Sequence, residues 1–241
     1  MLEPENESSF PTTRWSVIVK SRDVGDTERR QALEEICRVY WPPVYAFLRS
    51  SGHPKHDAED LTQGFFEQLL IRGGFDRTDP AKGRLRSYLL GALKHYVASE
   101  HRKTSRRKRG GGNEIISWDE LEAEGLTPPE LTDGLTPDKI YTRRWVKTLL
   151  DQVLDELSAH YAIQGKATIF EALKPMLTPG NVAVSYSSLA ERLGMTESAV
   201  KVAAHRFRQR FGVLLRNTVA FTMEPGEDVD REVSELMASF D

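Results

Sequence analysis

The sequence predicts an all-α fold of two small helical domains joined by an acidic flexible linker, with a helix-turn-helix in the C-terminal domain. Three observations carry this expectation. Apolar residues recur at spacings of three and four wherever a pattern exists, and no segment alternates with the period of two that marks a strand. A stretch rich in acids, Pro and Gly separates two patterned halves. Near the C-terminus, a short helical pattern, a glycine and a longer amphipathic pattern follow one another.

The elements follow in order. The acidic start MLEPENESSF lacks the apolar content to fold alone, and FPTTRWSVIV after it reads as a short first helix. From Glu28 to Ser50, Leu33, Ile36, Cys37, Tyr40, Val44, Phe47 and Leu48 fall at helical spacing. Pro42 and Pro43 interrupt them, predicting a kinked helix or two helices end to end. His53-Pro54 breaks this helix. The next, Asp57 to Leu70, turns Ala58, Leu61, Phe65 and Leu69 to one side, with Asp57 as N-cap and Glu59 and Asp60 complementing the dipole. After the loop IRGGFDRTDPAKG, Leu85, Leu89, Ala92 and Tyr96 predict a helix to about Lys103.

Helical patterning resumes from Ile140 to Leu157 and from Ala167 to Leu177, before a turn at Pro179-Gly180-Asn181. Tyr186 to Leu193 is predicted as a short helix, Gly194 as the positive-φ residue of a tight turn, and Thr196 as the cap of the next helix. That helix turns Val200, Ala204, Phe207, Phe211 and Leu214 inward. Ser198, Lys201, His205 and Arg208 lie outside, with Arg206 and Arg210 on the flanks, the division a DNA recognition helix requires. An ordinary helical hairpin with a solvated basic face has the same pattern. The expected boundaries are an N-terminal segment 1–27, a first domain 28–109, a linker 110–139, a second domain 140–222 and an acidic tail 223–241. In the tail, Val233, Leu236, Met237 and Phe240 fit either a short regulatory helix or a frayed acidic end.

Charge sharpens the picture. The net charge of the 241 residues is −3, yet its distribution is blocked. Lys82 to Arg109 holds ten Lys and Arg against Glu100 alone, Glu114 to Lys139 holds eight acids against one base, and Glu224 to Asp241 holds seven against one. The basic block, interleaved with Tyr88, His95, Tyr96 and His101, favours a polyanion partner, and aromatic rings among cations suit unstacked bases. For Tyr96, core packing is the favoured alternative.

Several classes are disfavoured. The lone Cys37 makes no intramolecular disulfide, and no Cys and His spacing suits zinc, so a cytoplasmic protein without metal is expected. No signal-peptide pattern or run of ~20 apolar residues is present, so neither export nor membrane insertion is expected. The carboxylates of the DAEDLTQGFF helix bunch at one end, and no nucleophile and base pair or phosphate loop accompanies them. No catalytic residue, cofactor or enzymatic activity is expected.

Taken in order, YWPPVYAFLRSSG, HDAEDLTQGFF, KGRLRSYLLGALKHYVASEHRK and YSSLAERLGMTESAVKVAAHRFRQRF resemble the successive signatures of the extracytoplasmic-function (ECF) sigma factors of bacterial RNA polymerase, within the sigma-seventy superfamily. The resemblance runs from about Leu33 to Thr222, and FPTTRWS, KRGGG and LLRNTVAFT resemble one subgroup. It implies a subunit that binds core RNA polymerase and directs promoter-specific initiation. Asp57, Asp60, Gln63 and Phe66 would dock on the polymerase clamp helices. Arg84, Arg86, Lys94, His95, His101, Arg102 and Lys103 would open and read the minus-ten element of promoter DNA. Thr196, Ser198, Lys201, His205, Arg206 and Arg208 would serve the minus-thirty-five element. The acidic linker would thread the polymerase channel, and an anti-sigma factor is a further conceivable partner. The chain departs from the family in having Tyr88 where Trp is frequent, and in a longer approach, LKPMLTPGNVAVSY, to the helix-turn-helix. The alternatives are a helix-turn-helix regulator acting without replacing the sigma subunit, a nuclease, and an adaptor or anti-sigma-like protein.

Overall fold

A computed structural model describes residues 26–71, 84–105, 135–177, 185–220, 222–223 and 226–238, with side chains from Leu33 onward except at 35, 104 and 105. The expected first helix at Phe10 to Val19, residues 110–134 of the expected linker 110–139 and the Pro179-Gly180-Asn181 turn lie outside these residues, and the last linker residues, from Pro137, already belong to a helix. Among the described residues there are eight α-helices, one 3-10 turn and no strand, so the chain is all-α.

Helix α1 (Asp26–Ser50) is one continuous helix with Pro42 and Pro43 inside it. Each proline removes a backbone donor, at a cost of about 3 kcal/mol in a helix interior. The burial of Ile36, Val39 and Tyr40 before the pair, and of Val44, Phe47 and Leu48 after it, offsets that cost by holding both stretches against the same core. The helix ends where the Ser51 and His53 amides bond to the Phe47 and Leu48 carbonyls and Gly52 takes a φ of 87°.

Helix α2 (Lys55–Ile71) begins two residues before the expected start, with the Ala58 amide bonded to the Pro54 carbonyl at 2.9 Å. Asp57 therefore stands in the first turn and is not the N-cap, although its charge still complements the helix dipole. Helix α3 (Leu85–Ser105) buries Leu85, Leu89, Leu93 and Tyr96. Its approach to α2 is set by Gly64: a methyl group there would run into the Tyr96 hydroxyl. Tyr96 is a core residue, tilted against Phe65 at 5.8 Å.

Helix α4 (Pro137–Ile163) has Thr136 as N-cap, its hydroxyl accepting from the Lys139 amide at 3.4 Å, and proline in the first turn, where a missing N–H costs nothing. After Gly165, at a φ of 68°, come α5 (Ala167–Leu173) and a 3-10 turn (Lys174–Leu177). Helices α6 (Tyr186–Leu193) and α7 (Glu197–Ala220) make the helix-turn-helix, and α8 (Val229–Ala238) closes the described chain.

The core is one continuous buried cluster drawn from both halves. Helix α1 lies along α4, where Tyr40 stacks on the fully buried Trp145 at 6.4 Å and Ala46 meets Ile140. Farther along α4, Tyr161 joins Phe170 of α5 and Phe207 of α7 in an aromatic trio with centroid separations of 5.6–6.3 Å. None of the described helices is long and apolar enough to cross a membrane.

Candidate nucleic-acid interface

The helix-turn-helix is built as its residue types require. Gly194 adopts the left-handed conformation, φ 62° and ψ 33°, and the Met195 amide returns to the Ala190 carbonyl at 3.0 Å, ending α6 in a tight reversal. The Thr196 hydroxyl then accepts from the Ala199 amide at 3.2 Å and caps α7. Leu189, Val200, Ala204 and Phe207 are buried beneath the turn.

Thr196, Ser198, Lys201, His205, Arg206 and Arg208 are all exposed. Ser198, Lys201, His205 and Arg208 follow one another at spacings of three, four and three, which places them on one outer stripe of α7. Lys201 pairs with Glu197 at 2.7 Å and sits 5.7 Å from the Tyr186 ring centroid. The Glu197 hydrogen bond raises its ammonium above the ordinary lysine value. Arg210 is drawn inward: it lies near Glu156 of α4, whose carboxyl burial pushes up and Arg210 pulls down. Val202 shares the stripe of Ser198 and His205 and is 49% exposed, a position the sequence pattern did not single out. The available signal was an apolar residue on a polar face. Such a methyl-bearing side chain suits contact with a thymine methyl group.

On α3 the predicted cations divide into two sets. Lys94, His95, His101, Arg102 and Lys103 are exposed. His95 with Arg102, and Lys94 with His101, are seven residues apart and form adjacent stripes. Arg84 and Arg86, at the N-terminal end, are partly buried and engaged by carboxylates of the C-terminal half. Glu232 of α8 receives both guanidinium groups, Arg86 through a short hydrogen bond and Arg84 at 2.5 Å, while Glu235 stands 3.6 Å from Arg84. Arg86 also lies over the Trp145 ring, 5.0 Å from its centroid, and its carbonyl accepts the Tyr141 hydroxyl at 3.2 Å. Lys94 meets Asp138 of α4 at 2.5 Å. The pairing of these cations with Glu232, Glu235 and Asp138 was not foreseen, because the partners stand far away in the sequence.

On α2, Asp57, Asp60 and Gln63 are exposed, with Glu59 and Glu67 beside them, and Asp60 pairs with His56 at 3.1 Å. Phe66 does not share this surface. It is 4% exposed, stacked beneath Trp41 at 5.8 Å and edge-on to Phe65 at 5.3 Å. The exposed aromatic ring at that place is Trp41 of α1, and Leu70 and Ile71 are exposed at the end of α2. Among the described residues, no three of His, Cys, Asp or Glu group as ligands for a metal ion.

Comparison of the chain with protein-family models, with curated proteins and with solved structures returns no significant match.

Proposed function

We propose that the chain is a sigma-type promoter-specificity subunit: it binds core RNA polymerase and directs initiation, with no catalytic centre of its own. One observation carries the reading. A capped helix-turn-helix presents Ser198, Lys201, Val202, His205 and Arg208 on one exposed face, in a chain that also bears a separate basic helix, α3. A regulator reading duplex DNA needs only the first surface. A second surface, with exposed cations and histidines along a helix that follows a glycine-rich loop, suits a displaced single strand, where the protein holds extruded bases and grips the backbone.

In this reading α7 enters the major groove at the minus-thirty-five element, the exposed cations of α3 meet the minus-ten element, and Asp57, Asp60 and Gln63 face the polymerase. The cytoplasm is the compartment this function requires.

The test is run-off transcription with purified core polymerase on the DNA upstream of the chain's own coding region. Initiation at a defined start that depends on the chain supports the reading. Tight sequence-specific binding to duplex DNA, with no initiation when core polymerase is added, would favour the regulator instead.

A further inference from the structure

The carboxylate of Glu232 is fully buried, yet its partners come from the beginning of α3, 146 residues earlier in the case of Arg86. A carboxylate withdrawn from water is tolerated only where its charge is matched, and two guanidinium groups match it here. The site is built from several sides. The Trp145 ring backs Arg86, the Tyr141 hydroxyl fixes the backbone beneath it, and Arg84 closes from the side. Guanidinium groups held in this way suit the planar oxygens of a carboxylate and those of a phosphate equally.

The helix that supplies Glu232 is lightly attached. Helix α8 has ten residues, fewer than an isolated helix needs to persist in water. It buries Leu236, packs Val229, Val233 and Met237 partly, and ties to α7 through an exposed ion pair, Arg216 to Asp230 at 2.5 Å. Asp228 caps it, accepting from the Arg231 amide at 3.0 Å. Beyond the site, α3 continues with Lys94, His95, His101, Arg102 and Lys103, so that cationic groups from Arg84 to Lys103 extend over roughly 28 Å. A track of that length matches a polyanion better than a single small anion.

We infer that Arg84, Arg86 and Trp145 form an anion site that the acidic helix α8 fills in the free protein and a nucleic-acid phosphate fills in the bound one. Helix α8 and DNA exclude each other at this site, so the C-terminal helix is a latch on the basic surface of α3. The inference rests on the nucleic-acid reading proposed above.

The test compares the full chain, Glu232→Gln, Arg216→Ala and a chain ending at residue 223, binding a fluorescent single-stranded oligonucleotide at low, fixed salt. Circular dichroism confirms that each is folded. Arg216→Ala loosens α8 without touching the anion site and serves if Glu232→Gln fails to fold. Release of α8 raises affinity on the order of tenfold, the effect of a latch closed about nine times in ten. Arg86→Ala introduced into the shortened chain cancels the gain. Hydrogen exchange on the full chain gives a second readout: the amides of α8 lose protection when the oligonucleotide binds. Equal affinity of the full and shortened chains, or α8 amides still protected in the complex, overturns the latch while leaving nucleic-acid binding in place. No binding by any form overturns the nucleic-acid reading and the latch with it.

Discussion

Asp60 and Phe66 stand six residues apart on α2 and answer to different demands. Asp60 is exposed, so Asp60→Arg leaves stability within about 0.5 kcal/mol in urea denaturation, and on the proposed sigma-type function it weakens capture of core polymerase in a pull-down. Phe66 is packed between Trp41 and Phe65, so Phe66→Ala costs about 3–5 kcal/mol in the same denaturation experiment. The pattern of α2 placed Phe65 inward correctly and left Phe66 outward, because its inward direction depends on Trp41, a residue of another helix. His53 carries a pH dependence. Burial lowers its pKa below the ordinary 6.5, Asp57 opposes the shift and His101 adds to it. The unfolded chain therefore takes up the proton first as pH falls. The contribution is fully present above the unfolded value and is lost as pH falls through the folded one. The urea midpoint falls as pH drops below about 6.5, and His53→Gln flattens part of that fall; His160, lowered by burial and by Arg210 and Lys166, contributes in the same direction.

Between elements, Gly64 and Tyr96 decide how closely α2 and α3 approach. Gly64→Ala lowers stability by about 1–3 kcal/mol, as overpacking does, although alanine is the better helix former. Adding Tyr96→Phe, which removes the obstructing hydroxyl, recovers most of the loss in thermal unfolding. An independent structural role for that hydroxyl would make the two losses add instead. Much of the secondary structure was legible: the bounds of α6, the left-handed Gly194 and the Thr196 cap follow from residue types whose local chemistry has few alternatives. The passage of α1 through Pro42 and Pro43 was less so. Two prolines break a helix locally, and only the burial on both sides of them, which is tertiary, keeps it whole.

At the scale of the whole molecule, Trp145, the largest fully buried side chain among the described residues, lies where α1 and α4 meet beside the start of α3. A continuous core predicts one cooperative unfolding transition. Trp145→Ala costs about 3–5 kcal/mol and separates the denaturation curves followed by probes in α2 and α7. Coincident curves in the variant would mean that the two halves remain coupled without this ring. Periodicity announced the apolar stripes of α1 and α4 and left the acidic tail open between a short helix and a frayed end, but a stripe does not say which other stripe covers it. The candidate interface was legible to the same extent. Exposed positions on α7 follow from helical phase alone, whereas the engagement of Arg84 and Arg86 required knowing where α8 comes to rest.

The ring beneath Arg86 has one more consequence. An indole with a guanidinium over its face emits differently from one without it, so the chain carries its own optical gauge of that side chain. With the other tryptophans replaced by phenylalanine, the colour and quenching of Trp145 emission follow the arginine in real time, with no label attached.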